Sequence, residues 1–257
     1  MASVFAVLGR PGSEAGLFAR LLRARLRAPL EVVSVPAAAA TEIAHRTHLG
    51  QRLQQHQNLC GDCGDAWLPS ALVAPLVQSR LQHAASQPHP VVFAGFPRTL
   101  DQMRMLQHAG LGTPRVVHLA MSRQQAVQRV GERRVCATCG EPMYHLPPPV
   151  DASGAAAAHG RLYAHFVESD CDKPVPQSAD LDAKEELAQR LDAFDRHTLP
   201  LIERLRAGGA VQDVPITVAA PSGEGEAAAN FLSADDIWTA IQESCGLEAW
   251  KDSEAKK

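Results

Sequence analysis

Five consecutive apolar residues, Val4 to Leu8, run into Gly9 and then into the turn residues Pro11, Gly12 and Ser13. An amphipathic stretch, LFARLLRARLRA, begins at Leu17. A buried first strand, a tight Gly/Pro/Ser loop and a helix, in that order, form the frame of a phosphate-binding loop. Such loops work because backbone N–H groups, a helix N-terminus and one lysine surround the phosphates with positive charge. An ordinary Gly-Pro turn before a helix would read the same over these residues alone. The remainder of the chain decides between the two.

The loop resembles that of the adenylate kinases, G-x-P-G-S-G-K-G-T, with Gly9, Pro11, Gly12, Ser13 and Gly16 in register. The resemblance makes Gly9, Gly12, Ser13 and Gly16 the nucleotide-binding positions. Three residues depart from it: Glu14 stands for a glycine, Ala15 for the lysine and Leu17 for the threonine. Ala15 removes the cation, Leu17 removes a hydroxyl that would face Mg²⁺, and Glu14 adds an anion. At an effective dielectric of about 20 and about 4 Å, each charge is worth roughly 4 kcal/mol. Half of that, lost once and opposed once, costs on the order of a thousandfold in rate or affinity. Arg10 is the one basic residue of the loop, and folding back over it would replace part of the lost charge.

The rest of the chain keeps the family's order. Val91–Thr99 (VVFAGFPRT) is an apolar strand running into the family's D-G-F-P-R-T, with Gly95, Phe96, Pro97, Arg98, Thr99 and Gln102 in place. By resemblance Arg98 holds the acceptor phosphate and Gln102 the adenine. Ala94 replaces the aspartate, which in P-loop kinases organises Mg²⁺ and its waters. Upstream, Leu30–Val35 reads as a short strand and residues 41–57 as a polar helix. Anchoring the register on His48-Leu49-Gly50 puts Val35 at the family's threonine and Ala40 at its phosphate-binding arginine, so both AMP contacts are absent. Ser70–Ala84 reads as a helix with its apolar stripe on Leu72, Val73, Leu76 and Val77. Arg115–Met121 is the next strand, and Ser122 caps the helix after it.

That helix ends in RVGERRV, placing Arg129 and Arg133 (with Arg134) on the family's lid arginines, and Arg190 falls on a lid-hinge arginine. Arg98, Arg129, Arg133 and Arg190 are thus the retained catalytic positions. Cys136, Cys139 and Cys171 match three ligands of the family's zinc knuckle, while Pro174 takes the fourth position and cannot ligate. His145, His159, His165 or Asp172 would have to complete a zinc site; a metal-free knuckle held by packing is the alternative. Cys60 and Cys63 form a C-x-x-C outside the family pattern. Asp180–Arg206 carries the strongest helical periodicity, with Leu187, Leu191, Phe194, Leu201, Ile202 and Leu205 as its stripe. Thr198 to Ile202 matches the family's T-x-P-L-I. Ala210–Val214 with Ile216–Ala219 supplies the last strand, Ser233–Cys245 a closing helix, and AWKDSEAKK a tail.

Composition adds bounds. Lys+Arg 25 against Asp+Glu 28 gives net −3, so no nucleic-acid or membrane partner is indicated. No apolar run approaches the roughly 18 residues of a membrane span. Six cysteines, largely in C-x-x-C pairs, point to metal or redox chemistry in a reducing intracellular compartment. The first strand starts almost at once, which leaves no room for a presequence and favours the cytoplasm.

The fold expected is α/β, a P-loop-type parallel sheet flanked by helices with a monophosphate-binding insert and a lid insert. The core is expected over 1–34, 85–128 and 176–246, the monophosphate insert over 35–84, the lid over 129–175 and the tail over 247–257. Losing the lysine, the threonine, the aspartate and the AMP contacts from one mechanism implies a catalytically impaired adenylate-kinase-like protein, a structural or docking subunit of a larger protein assembly. The alternatives are a weak or specialised nucleoside monophosphate kinase acting on AMP or a similar acceptor, and a nucleotide-binding sensor without turnover. Zinc in the lid, an AMP-like ligand, and Mg-ATP if the chain is active are the cofactors and ligands in question.

Overall fold

The computed structural model describes residues 4–16, 31–59, 68–86, 90–138, 142–146, 162–165, 171, 176–177 and 184–216. The helix expected from Leu17, the Cys60–Cys63 pair, Cys139, Pro174, the closing helix Ser233–Cys245 and the tail lie outside these residues.

In chain order, β1 (Val4–Gly9) and β2 (Glu31–Ser34) lead to α1 (Val35–Ala44), α2 (His48–Leu59) and α3 (Ser70–Ser86). Then come β3 (Val91–Ala94), α4 (Leu100–His108), β4 (Arg115–Ala120) and α5 (Arg123–Glu132). Four short strands follow: β5 (Arg134–Cys136), β6 (Pro142–Leu146), β7 (Leu162–His165) and β8 (Pro176–Gln177). The described chain closes with α6 (Lys184–Ala193), a π-helical turn (Phe194–Thr198), α7 (Leu199–Ala207) and β9 (Val211–Pro215).

Five strands form a parallel sheet in the order β2-β3-β1-β4-β9, and β7-β6-β5-β8 form a separate antiparallel sheet. The near-continuous apolar runs of β1 and β3 suit the centre of a sheet covered on both faces. Leu72, Val73, Leu76 and Val77 of α3 and Leu201, Ile202 and Leu205 of α7 are buried in the same core as Val4, Ala6, Leu8 and Phe93. The parallel α/β sheet expected from the sequence is therefore present. Because all five strands point one way, their C-terminal ends share an edge. The Gly95 N–H donates to the Val7 carbonyl at 2.9 Å, so the loop after β1 and the GFPRT segment after β3 emerge side by side.

Local structure departs from the sequence reading in three places. β2 stops at Ser34 instead of Val35, because the Ser34 hydroxyl accepts from the Ala37 N–H (3.4 Å) and caps α1, with Pro36 tolerated in the first turn. The expected helix over 41–57 is two helices. Arg46 adopts φ +52°, and the Thr47 hydroxyl accepts from the Gly50 N–H at 2.9 Å as α2 begins. The helix expected over 180–206 is interrupted by the π turn, where the Leu199 N–H donates to the Phe194 carbonyl, five residues back. Pro200 lacks the N–H that would serve the Arg196 carbonyl, so the wider turn forms there. Ser122 caps α5 as expected, with a reciprocal Gln125 side-chain bond.

Between β4 and β9, His118 is buried and its Nδ1 lies 2.6 Å from Asp213 Oδ1, while Arg206 grips the same carboxylate through Nη2 (2.7 Å) and Nε (3.0 Å). Burial pushes the imidazole below its ordinary value of 6.5, against the pull of Asp213. The Arg206 hydrogen bonds hold the Asp213 carboxyl below its ordinary 3.8. Both depressions mean the unfolded chain binds more protons, so stability rises with pH across each window. The His118 contribution is complete above about pH 6.5 and declines as pH falls below it; that of Asp213 is lost at lower pH still. Urea midpoints are expected to drop between pH 7 and pH 5, with a flatter slope in His118→Gln. An equal slope in the variant would place the titrating group elsewhere.

Candidate functional site

A cavity of about 240 Å³ opens at the C-terminal edge of the parallel sheet. Its walls are the loop from Gly9 to Gly16, Ser34 and Pro36 at the start of α1, the Ala94–Gly95 corner with Arg98, and Arg133, Arg190, Phe194 and Thr198. The loop is tightly wound, with the Ser13 N–H donating to the Arg10 carbonyl at 2.9 Å. A Cβ on Gly9 would lie 2.3 Å from Ser13 Oγ, and Gly12 (φ +86°) has Val130 Cγ2 only 2.8 Å from where a Cβ would sit. Both glycines are required by the winding itself. Arg129 is buried and donates from Nε to the Gly12 carbonyl at 2.8 Å, bracing the loop from behind; it is not on the cavity wall.

Glu14 is the decisive residue of the loop. It sits at φ +58°, a left-handed conformation that costs a side-chain-bearing residue about 1–2 kcal/mol. Its Oε1 accepts from Arg133 Nη1 at 3.1 Å, with only 12% and 14% of the two side chains exposed, and both residues line the cavity. The cavity beside the loop is thus bordered by a carboxylate belonging to the chain itself, paired with an arginine from the end of α5.

Arg10 does not fold back over the loop. Its Nη1 donates to the Met121 carbonyl (2.7 Å), its Nη2 meets Asp195 Oδ1 (2.6 Å), and its guanidinium lies 5.1 Å from the Phe194 ring centroid. Asp195 also receives Arg123 at 3.1 Å. The one way the loop could have regained positive charge, Arg10 folding back over it, is not taken: an acid on the π turn holds the guanidinium. Arg98 lines the cavity, with Nε donating to the Gly95 carbonyl at 2.7 Å. Gln102 differs from expectation. It is buried off the cavity wall, and its Oε1 accepts from the Arg98 N–H at 2.7 Å, so it fixes the turn that carries Arg98. Thr99 completes the corner by capping α4 through the Gln102 N–H. Val35 is buried and Ala40 exposed, neither bringing a polar side chain. Sequence reasoning missed Ser34, Phe194 and Thr198 as wall residues. Thr198 opens T-L-P-L-I, and its buried hydroxyl has no hydrogen-bond partner among the described residues.

The chain is 31% identical to an adenylate kinase of Syntrophotalea carbinolica over 215 residues, covering 81% of this chain and 88% of that protein. The chain belongs to the adenylate kinase family. Adenylate kinases of Archaeoglobus fulgidus (27% identical, 80% of this chain and 88% of that one) and Desulforamulus reducens (26%, 81% and 90%) are similar over nearly the same span. No protein-family model matches the chain.

Adenylate kinases use Mg-ATP, and the residues of this adenylate kinase fold fit it poorly. The end of β3 offers the methyl group of Ala94, the loop offers Ala15, and the Glu14 carboxylate lies on Arg133. In the smaller sheet, Cys136 Sγ is 3.8 Å from Cys171 Sγ, so two of the three expected zinc positions lie together, and Cys139 lies outside the described residues. Among the described residues no group of three or more His, Cys, Asp or Glu is placed to hold a metal. No described helix is long and apolar enough to cross a membrane.

Proposed function

We propose that this adenylate-kinase-like chain is catalytically impaired and serves as a structural or docking subunit of a larger protein assembly. The observation that carries the reading is the Glu14–Arg133 pair. Phosphoryl transfer in this class depends on positioning and on positive charge around the transferred group. Here a loop carboxylate takes up an arginine at the mouth of the lid, and Ala15 and Ala94 leave the lysine and aspartate positions without a charged group. A coupled ADP-formation assay with ATP and a panel of nucleoside monophosphates tests it. The expected rate is indistinguishable from that without protein, and native protein should migrate in a particle much larger than 27.6 kDa.

A second reading has a specific observation behind it. Arg98, Arg133 and Arg190 all line the cavity, which favours a retained site for an AMP-like anion, as in a weak monophosphate kinase or a nucleotide sensor without turnover. Thermal shifts with AMP, ADP and ATP, with and without Mg²⁺, separate these: a shift by AMP with no turnover identifies the sensor.

Pro174 at the fourth zinc position leads to a further expectation. Purified protein should hold less than one zinc per chain by elemental analysis, and a chelator should leave the melting temperature nearly unchanged. Stoichiometric zinc, with melting lowered by the chelator, would make the lid a structural metal site.

A further inference from the structure

A second cavity, of about 490 Å³, lies at the opposite end of the parallel sheet from the phosphate loop. The loop follows the C-terminal end of β1, whereas this cavity gathers Pro114 and Arg115 at the start of β4 and Gly208 and Ala210 just before β9. Its size falls within the range of ligand-binding clefts. Its apolar lining is Leu100 of α4, backed by Met103 of α4 and Leu201 and Leu205 of α7, which are themselves buried. Leu100 is 42% exposed, one of two large apolar side chains so placed among the described residues.

Arg104, Arg115 and Arg204 line the cavity, from α4, β4 and α7 respectively, and among the described residues its lining contains no Asp or Glu. Arg104 is paired with the exposed Asp101 at 2.7 Å. Arg115 and Arg204 are exposed and have no ion-pair partner among the described residues. Both stand on an otherwise acidic chain of net charge −3. No aromatic side chain is in the lining among the described residues, so nucleic-acid bases would find no stacking platform there. Aliphatic side chains would find a matching wall, and guanidinium groups pair bidentately with carboxylates. Arginine is also among the residues enriched at protein interfaces.

We propose that this cavity is a docking site for an acidic, aliphatic-anchored peptide segment of a partner protein, with a leucine-like side chain in the cavity and flanking carboxylates on Arg115 and Arg204. The proposal gives the docking reading above a surface, yet it holds equally for an active enzyme, because the site is remote from the phosphate loop and leaves it open.

The test uses the full chain and a fluorescein-labelled nonapeptide, EEDLLDLEE, followed by anisotropy. Binding is expected to saturate, to weaken with added salt, and to fall about tenfold or more in Arg115→Glu/Arg204→Glu, a change equivalent to roughly 1.4 kcal/mol. Both arginines are exposed, so the variant's melting temperature should match wild type. A charge-reversed peptide, KKKLLKLKK, should bind the variant more tightly than it binds wild type. Absence of saturable binding would overturn the proposal, as would equal affinity for variant and wild type. So would a single-stranded RNA oligonucleotide that binds in the arginine-dependent manner when the peptide does not. ADP formation is assayed separately: peptide binding with turnover would sink the impaired-enzyme reading and leave this one standing.

Discussion

Isothermal titration of the wild-type chain with Mg·ATP is expected to give no saturable heat up to about 1 mM, which limits any binding to roughly 4 kcal/mol or less. Four features of the cavity point the same way. Glu14 places a carboxylate beside the backbone N–H groups that would approach the phosphates, and its ion pair engages Arg133 at 3.1 Å. Ala15 has no cation to offer. Ala94 ends β3 without an acid for the metal's waters. Arg10, the remaining cation of the loop, is engaged by Asp195 at 2.6 Å and stacked on Phe194. An incoming triphosphate must therefore compete with a carboxylate that is tethered to the loop, and so present at high effective concentration. Glu14→Gln keeps the side chain's size while removing its charge. It should increase affinity for inorganic pyrophosphate about tenfold or more, since the loop then no longer carries a negative charge into the cavity. A low-micromolar dissociation constant for Mg·ATP in wild type, abolished by Arg10→Ala, would sink this account of the loop.

The fold was largely legible because its signals are local and strong. The apolar runs Val4–Leu8 and Val91–Ala94 are unbroken, and unbroken runs mark strands covered on both faces. The capping residue Ser122 could be read from position alone. The π turn was overlooked because apolar periodicity at Leu191, Phe194 and Leu201 tolerates one extra residue, although Pro200, inside the expected helix, marks where its ladder breaks. In the site, the loss of charge at Ala15 and Ala94 was visible as substitutions. What replaced it was not. The partner of Glu14 lies 119 residues away and that of Arg10 185 residues away, and no spacing rule links residues so far apart. Gln102 gives a related case. Its motif position is intact, but its hydrogen bond to the Arg98 N–H turns it from the cavity into the corner.

The same arrangement makes reversal of the loop an incomplete repair. In Glu14→Gly/Ala15→Lys/Leu17→Thr, glycine relieves the left-handed strain at φ +58° and removes the carboxylate from Arg133. The lysine restores the cation. Affinity for ATP should rise about tenfold or more, equivalent to roughly 1.4 kcal/mol. Turnover should remain negligible, because binding energy gained on the donor phosphates accelerates nothing unless acceptor and metal are also placed. Ala94 still ends β3 without a carboxylate, and the start of α1 still presents buried Val35 and exposed Ala40. Adding Ala94→Asp should make ATP binding depend more strongly on Mg²⁺ while ADP formation stays low, the acceptor side being unrepaired. Robust ADP formation by the triple variant alone would show that Ser34 or Arg98 already suffices for the acceptor, and that placing Val35 and Ala40 at the lost contacts is wrong.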